Sequence, residues 1–175
     1  MTSDAVAELH PDYSSATAIA TPWREVVTVL ERAEIFWIST VRADGRPNVA
    51  PLPAMWLDGA LHFSTGLDEA RNLLRNANCI LTTGTNSYRQ GLDVMVEGRA
   101  ERVTNRPTLE RLAELWQSKI GWPWDVVEDG FRPRPEGPQP ENADAQAVVP
   151  VFAVKPAKIL SFGRGERFTQ TRYRF

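Results

Sequence analysis

Two Asp-Gly pairs constrain this chain more than any other local feature, because each separates segments that favour β-strands. Asp44-Gly45 follows IFWISTV, and Asp58-Gly59 separates PNVAPLPAMWL from ALHFST. Asp-Gly suits the two-residue turns that join antiparallel neighbours, since both turn positions need a positive φ. The sequence from 35 to 64 therefore predicts three consecutive antiparallel strands.

Further strand segments follow along the chain. They are CILTT at 79–83, DVMVEGRAERV at 93–103, VVPVFAV and KILSFG as two strands separated by Lys155-Pro156-Ala157, and the final RFTQTRYRF. They contain many β-branched or aromatic residues, as strands do. They raise the predicted number of strands to six or more.

Some strand segments carry irregularities that predict how they pair. The run IFWISTV at 35–41 is apolar, which predicts a strand buried on both faces. Prolines 47, 51 and 53 cannot donate to a ladder, so their strand should be bulged or unpaired on one side. Gly98, in the middle of a long strand, predicts a bend or bulge.

Three helices are predicted around the strands. Thr21-Pro22 fits an N-cap followed by proline, and apolar residues then recur at helical spacing to about Glu34. The second helix spans Asp68 to about Ala77, and the third begins at Asn105-Arg106-Pro107 with the core stripe Leu109, Leu112, Ala113, Trp116 and Ile120. These elements predict a mainly β fold, a small antiparallel barrel with peripheral helices.

The chain length of 175 residues predicts one domain, which we place at 21–175. Residues 1–20 are polar and are expected to form a loose N-terminal arm. The segment 121–147 holds five of the 13 prolines, which predicts a mobile surface loop or lid. Trp116, Trp122 and Trp124 could then roof a pocket with this loop, although core packing fits Trp116 better.

The composition excludes several classes of protein. A net charge of −2 argues against a nucleic-acid partner, which requires a basic face. No stretch approaches the roughly 20 apolar residues of a membrane span. The chain start lacks the pattern of a secretory signal, and a single cysteine suits a reducing compartment. We therefore predict a cytoplasmic location.

The residues for protein-based catalysis are sparse. His10 and His62 are the only histidines, so a metal site would need scattered carboxylates and is not expected. Cys79 opens an apolar strand segment, which favours a buried structural thiol over a nucleophile. Since no nucleophile elbow or phosphate-binding glycine loop occurs, no catalytic residue is assigned, and a bound cofactor is expected to supply any chemistry.

The stretch LHFSTGLDEARNLL at 61–74 has two interpretations. In the first, Asp68 caps a helix, Glu69 suits its dipole and Arg71 points to solvent. In the second, Ser64, Thr65 and Arg71 hold a cofactor phosphate at the strand-to-helix turn, with Asn48 to Pro51 along its ring. Arg71 would then supply most of the local positive charge.

The ordered set FWISTVRADGRPNVAPLPAMWLDGALHFSTG…ARNLLRN…CILTTG…GLDVMVEGRAERVT resembles the pyridoxamine 5′-phosphate oxidase-like flavin-binding split barrels. Within that family it is more similar to the actinobacterial flavin and deazaflavin oxidoreductases, as is the terminus GERFTQTRYRF. The resemblance covers about Trp23 to Val103 and resumes from Val148 to Phe175. It implies a homodimeric, six-stranded antiparallel split barrel that binds FMN or coenzyme F-420 at the dimer interface.

The resemblance also implies which residues bind the cofactor. The ring lies along Asn48, Val49, Ala50 and Pro51, and the phosphate lies near Ser64, Thr65, Gly66, Arg71 and Asn72. Gln170, Arg172 and Tyr173 of the terminal strand reach the cofactor of the partner chain, and Val94 to Gly98 lie at the same interface.

The implied activity is hydride transfer between the cofactor and a small organic molecule. Relatives usually carry a Lys or Arg where this chain has Leu67-Asp68-Glu69. Its loss favours F-420 over FMN, because the anionic tail of F-420 can recruit Arg75 or Arg89. A pyridoxamine 5′-phosphate oxidase-like FMN oxidase and a non-catalytic cofactor-binding protein are the alternatives.

Overall fold

The computed structural model describes residues 5–137 and 147–175. Within these ranges, the helices are α1 (Trp23–Arg32), α2 (Leu67–Arg75) and α3 (Arg106–Ile120). The strands are β1 (Val6–Leu9), β2 (Ile35–Val41), β3 (Pro47–Leu57), β4 (Ala60–Ser64), β5 (Asn78–Thr83), β6 (Gly91–Arg102), β7 (Trp124–Val127), β8 (Gly130–Pro133), β9 (Val151–Arg164) and β10 (Thr169–Arg174). A 3-10 turn spans Pro11–Tyr13.

The main sheet closes into a barrel. Its strands run in the order β1-β10-β9-β4-β3-β2-β5-β6, and β6 also pairs with β9, so the six strands from β9 to β6 form a ring. Phe36, Ile38, Leu61, Phe63 and Leu81 are fully buried in its interior. The predicted mainly β split barrel with peripheral helices is confirmed.

Both Asp-Gly turns lie where the sequence predicts them. Gly45, with φ 85°, lies in the connection between β2 and β3. Asp58 and Gly59 have φ of 52° and 79°, and they join β3 to β4 at the pair Leu57↔Ala60. Positive φ at both positions is what a type I′ hairpin requires. The predicted antiparallel meander is therefore confirmed.

The two strands predicted around Lys155-Pro156-Ala157 are one continuous strand, β9. Its register with β6 shifts at Glu97/Gly98, where Gly98 faces Pro156 and the next pair is Glu97↔Lys158. Ala157 is the extra residue of this bulge, which lets the strand continue past a proline that has no N–H to donate. The irregularity predicted at Gly98 is confirmed.

Gly98→Ala is expected to destabilise the barrel by about 1–3 kcal/mol, as overpacking does. A Cβ at this position would lie 2.5 Å from the Lys155 carbonyl oxygen and 2.7 Å from Val154 Cγ1. Denaturant unfolding measures the loss. Gly66→Ala, where nothing lies within 4 Å of the added Cβ, is the control. Equal stability of the Gly98 variant and the wild type would contradict this packing.

The prediction that β2 is buried on both faces is wrong. Phe36 and Ile38 face the core, but Ile35 and Trp37 alternate with them and are 48% and 51% exposed. In β3, Val49 is 57% exposed and pairs with Ser39 in the same outward-facing row. We call the exposed set Ile35, Trp37, Val41 and Val49 the β2–β3 apolar face.

The N-terminal segment is not a loose arm over its described residues. β1 pairs with β10 from Val6↔Arg174 to Leu9↔Thr171. The free edge of β10 offers backbone donors and acceptors that β1 satisfies. Thr21 does not cap α1 either, because Pro22 is the N-cap and the Thr21 N–H donates to Thr171 Oγ1 at 3.0 Å. Because β10 has β1 on one side and β9 on the other, the terminal strand is internal to the sheet.

The segment 121–147 is not a mobile loop throughout. β7 and β8 form a hairpin whose Trp124 and Phe131 are buried against Leu112 and Trp116 of α3. The Phe131 ring centroid lies 5.5 Å from those of both Trp116 and Trp124. These tryptophans form a second core rather than the roof of a pocket. Residues 138–146 of the predicted lid lie outside the described residues.

Among the described helices, none combines the length and the apolar character needed to cross a membrane. The N-terminus of α3 forms as the sequence predicts, because the Asn105 side chain accepts a hydrogen bond from the Thr108 N–H at 3.1 Å. Leu109, Leu112 and Trp116 of its predicted stripe are buried.

Candidate functional site

An open pocket of about 480 Å³ lies between the β2–β3 turn and α2. It is lined by Arg42, Ala43, Asp44, Asn48, Asp68, Arg71, Asn72 and Arg75. We call it the arginine pocket. It brings together three of the predicted site residues, Asn48, Arg71 and Asn72, from a strand and a helix that are neighbours only in the fold.

Three guanidinium groups face two carboxylates in the arginine pocket. Asp44 is engaged by Arg46, whose side-chain and backbone hydrogen bonds lower the pKa of that carboxyl. Asp68 lies 3.6 Å from Arg71, and both side chains are largely exposed. The Arg75 side chain makes no hydrogen bond or ion pair with another described residue. The pocket is therefore positive, and it suits an anionic ligand.

Arg42 and Arg75 line the arginine pocket together with Arg71, to which the second interpretation of the sequence assigned most of the local positive charge. Arg42 Nη2 donates to Asn48 Oδ1 at 3.0 Å across the hairpin. Arg71 and Arg75 lie one turn apart on α2, so they present the same side of the helix. The spacing of Arg71 and Arg75 was visible in the sequence, whereas the position of Arg42 depends on how the hairpin lies over α2.

The start of α2 carries donors without a side-chain cap. Gly66 is the N-cap, and no described side chain caps the helix. Asp68 is not the cap that the first interpretation required, because it lies inside the helix and pairs with Arg71. The first-turn N–H groups and the helix dipole add to the positive character of this end.

Glu69 occupies the centre of the predicted phosphate site. Its Oε1 accepts from Asn48 Nδ2 at 3.0 Å, and its Oε2 accepts from Thr65 Oγ1 at 3.3 Å. Asn72 Nδ2 donates to Thr40 Oγ1 at 3.0 Å, which fixes α2 on the barrel. Sequence reasoning did not assign Glu69 to the site, although its one-turn spacing from Thr65 made the contact possible.

The predicted ring-lining stretch is divided between two faces of β3. Asn48 and Ala50 pair with Thr40 and Ile38, whose side chains are buried. Val49 and Pro51 alternate with them and lie on the outer side. Ser64 and Gly66 flank Thr65 at the end of β4 and the start of α2. Asn48 therefore lines the arginine pocket, whereas Val49, on the opposite face of β3, belongs to the β2–β3 apolar face.

The terminal-strand residues lie elsewhere in the same chain. The sheet order β10-β9-β4-β3 places Gln170 and Arg172 three strands from Asn48. Tyr173 is buried, its hydroxyl donates to the Thr21 carbonyl at 2.8 Å, and the Ser161 hydroxyl lies 2.9 Å away. Burial raises the pKa of Tyr173. We assign Tyr173 to the core, and contact of Gln170 and Arg172 with a partner's cofactor stays a prediction.

A second cavity of about 660 Å³ opens on the outer side of β2, β5 and β6. Its lining includes Trp37, Met95 and the start of the β5–β6 loop. Asp93 holds this loop through hydrogen bonds from the Thr85 N–H at 3.1 Å and from Arg164 Nη2 at 2.9 Å. The cavity adjoins the β2–β3 apolar face, and it includes Val94 of the predicted interface strand.

The remaining reactive groups lie away from the arginine pocket. Cys79 is buried, and burial raises the pKa of its thiol to about 11, so the thiol is protonated at neutral pH. His62 is also buried. In the described part of the chain, no three His, Cys, Asp or Glu side chains are grouped so that they could hold a metal ion.

His62 should make stability depend on pH. Burial lowers its pKa below the ordinary value of 6.5, so below that pH the unfolded state binds more protons than the folded state. As the pH is lowered, the free energy of unfolding should then decrease by up to about 1.4 kcal/mol per pH unit. The decrease ends when the pH reaches the lowered pKa of His62 in the folded state. Melting curves between about pH 7.5 and pH 5.5 measure this slope. An equal slope in His62→Gln would contradict the assignment.

The sequence matches a known family over most of this barrel. A family model described as pyridoxamine 5'-phosphate oxidase covers residues 22–156, from the cap of α1 to the bulge of β9. The chain belongs to the pyridoxamine 5'-phosphate oxidase family. The family resemblance stated from the sequence is thereby confirmed, and a search of curated proteins found no match.

Solved structures with similar folds agree with a pyridoxamine 5'-phosphate oxidase family barrel. An F420 reductase is 23% identical, with 75% of this chain and 93% of that chain covered and a TM-score of 0.51. An FAD-binding protein from Mesorhizobium loti is 16% identical, with coverage of 97% and 99% and a TM-score of 0.56. The FAD binding protein from Mycobacterium smegmatis is 16% identical, with coverage of 85% and 97% and a TM-score of 0.54. At these identities the similarity concerns the fold.

Proposed function

We propose that this protein is a homodimeric oxidoreductase that binds coenzyme F-420 and transfers hydride between the reduced deazaflavin and a small organic substrate. FMN in the same pocket is the alternative cofactor. The observation that carries the proposal is the arginine pocket, where three guanidinium groups meet the exposed end of β3. An F420 reductase among the similar folds supports it.

The residues present fit the anionic part of such a cofactor. Arg42, Arg71 and Arg75 would bind phosphate or tail carboxylates, which are recognised by charge-assisted hydrogen bonds. The start of α2, where Asp68 lines the pocket, also has N–H donors without a side-chain cap. The open shape of the pocket allows a long tail to continue towards solvent.

The exposed part of β3 fits the flat ring. From Pro47 to Pro53 this strand pairs with β2, and its pairing with β4 begins only at Ala54. Among the described strands its other edge is thus unpaired over this length, which leaves backbone groups for a ligand. Val49 and Pro51 add apolar surface beside that edge.

The bound deazaflavin or flavin would supply the hydride chemistry. The chain would position the ring and exclude water around it, tasks that need no protein nucleophile. His62 and Cys79 are buried away from the pocket and take no part.

The β2–β3 apolar face supports the proposed dimer. A cluster of large apolar side chains that includes a half-exposed tryptophan is typical of a surface that another protein covers. A second copy placed there would also enclose the ring-lining part of β3. This arrangement makes the cofactor site and the dimer interface continuous.

The function is tested by mixing the purified protein with reduced F-420 and a panel of conjugated acceptors such as quinones and enones. We expect acceptor-dependent recovery of the absorbance of oxidised F-420. Binding without turnover with any acceptor would instead indicate a cofactor-carrying protein, an alternative with which the acidic Asp68 and Glu69 at the site are equally compatible. Failure to bind F-420 and FMN would reject both functions.

A further inference from the structure

Glu69 accepts hydrogen bonds from two donors that would otherwise be available to a ligand phosphate. Asn48 Nδ2 lies 3.0 Å from Oε1, and Thr65 Oγ1 lies 3.3 Å from Oε2. One carboxylate thus connects the start of β3 to the turn after β4. Its two oxygens accept in the way that two oxygens of a phosphate would.

The orientation of Asn48 is fixed from the opposite side. Arg42 Nη2 donates to Asn48 Oδ1 at 3.0 Å, so the amide must present its NH2 group to Glu69. The polar contacts therefore run as a chain from Arg42 through Asn48 and Glu69 to Thr65. Arg42 lies at one end of this chain, and the Glu69 carboxylate lies beyond Asn48.

Glu69 forms no ion pair among the described residues, whereas its neighbour Asp68 lies 3.6 Å from Arg71. Its negative charge is therefore not neutralised by a direct partner, and it acts on any ligand that enters from the arginine side. The repulsion grows with the negative charge of the ligand. A phosphomonoester carries about −1.5 to −2 at neutral pH, whereas a phosphodiester carries a single negative charge.

We propose that Glu69 is a specificity-determining residue that selects against phosphomonoester cofactors and in favour of cofactors joined through a phosphodiester. This inference rests on the proposed function, because it assigns the choice between FMN, a monoester, and F-420, a diester, to one side chain. Glu69 closes the Thr65 end of the site and confines the ligand anion to Arg42, Arg71 and Arg75.

Equilibrium titration of FMN and F-420 into wild type and Glu69→Gln tests the proposal. The amide keeps the size of the side chain and removes its charge. FMN affinity should rise by about five- to tenfold, the effect of removing one like charge near a partly exposed site, and F-420 affinity by only about two- to threefold, because a phosphodiester carries about half the charge. Glu114→Gln, an equal charge change at an exposed position of α3, should alter neither.

Glu69→Asp separates charge from shape. It keeps the charge on a shorter side chain, so FMN should bind it as weakly as the wild type. A fall in affinity for both cofactors in Glu69→Gln would mean that Glu69 is a ligand contact, and it would overturn the proposal. An FMN affinity of Glu69→Gln equal to that of the wild type would also overturn the proposal.

Failure of the proposed function has a separate outcome. If the wild type and both variants bind neither cofactor, inorganic phosphate becomes the probe, and the Asn48 side-chain amide is followed by NMR. Tighter phosphate binding in Glu69→Gln than in wild type would support the role of Glu69 even then. Unchanged phosphate binding would reject it.

Discussion

Joint replacement of Arg42, Arg71 and Arg75 by alanine is expected to weaken the binding of F-420 and FMN by about a hundredfold or more. Charge-assisted hydrogen bonds to a phosphate contribute about 1.5–3 kcal/mol each when well placed, although such contributions are not additive in a shared site. The three side chains line one pocket, so their loss removes its positive charge.

Arg71→Ala alone should have a smaller effect, about tenfold or less. Its side chain is 68% exposed and lies 3.6 Å from Asp68, so part of its charge is already screened and shared. Isothermal titration calorimetry measures both effects. Alanines at Arg24, Arg106 and Arg174 form the control, since they remove the same charge outside the pocket. Wild-type affinity in the pocket triple variant would contradict the assignment.

Trp37→Arg is expected to convert the proposed dimer into a monomer, with a dimer dissociation constant raised by about a hundredfold or more. Trp37 is 51% exposed at the centre of the β2–β3 apolar face. A second copy of the chain would bury its indole, and an arginine from each copy would place like charges in the interface. Analytical ultracentrifugation over a range of concentrations measures the change.

The control for this experiment is Ile19→Arg, which places the same charge on a residue that is 77% exposed in the N-terminal segment. It should leave the dimer intact. If the site and the interface are continuous, Trp37→Arg should weaken cofactor binding as well as dimerisation. A wild type that sediments as a monomer at every concentration would reject the dimer itself.

The parts of the fold that could be predicted are those fixed by local chemistry. Asp58-Gly59 encodes its turn because few other residue pairs adopt positive φ so readily, and Gly45 supplies the positive φ in the longer connection between β2 and β3. Gly98 indicated a bulge because glycine weakens the interior of a strand and often marks such an irregularity. Asn105 capped α3 as expected, since its side chain needs only a neighbouring N–H.

The parts that were missed depend on contacts between distant segments. The strand β1 exists because β10 offers it an edge, and Thr21 contacts Thr171 across 150 residues. The β7–β8 hairpin was hidden by its proline-rich surroundings, although Trp124 and Phe131 supply enough apolar surface to join a core. The proline content of the whole segment 121–147 therefore led to a wrong prediction for the β7–β8 hairpin within it.

The candidate site was predicted in outline only. Asn48, Arg71 and Asn72 meet in one pocket because a strand-to-helix turn brings α2 beside β3. Arg42 and Glu69 could not be assigned from the sequence, since their contacts with Asn48 require the hairpin and the helix to be packed together. Tyr173 was placed at a cofactor by resemblance, whereas its buried hydroxyl donates to the Thr21 carbonyl just before α1.

A crystal structure of the protein with F-420 tests the central claim most directly. We expect the phosphate within hydrogen-bond distance of Arg42, Arg71 and Arg75, with the deazaflavin ring along Asn48 to Pro51 and a second copy of the chain covering it. A structure in which F-420 lies outside the arginine pocket, or in which that pocket is empty at saturating F-420, would contradict the account.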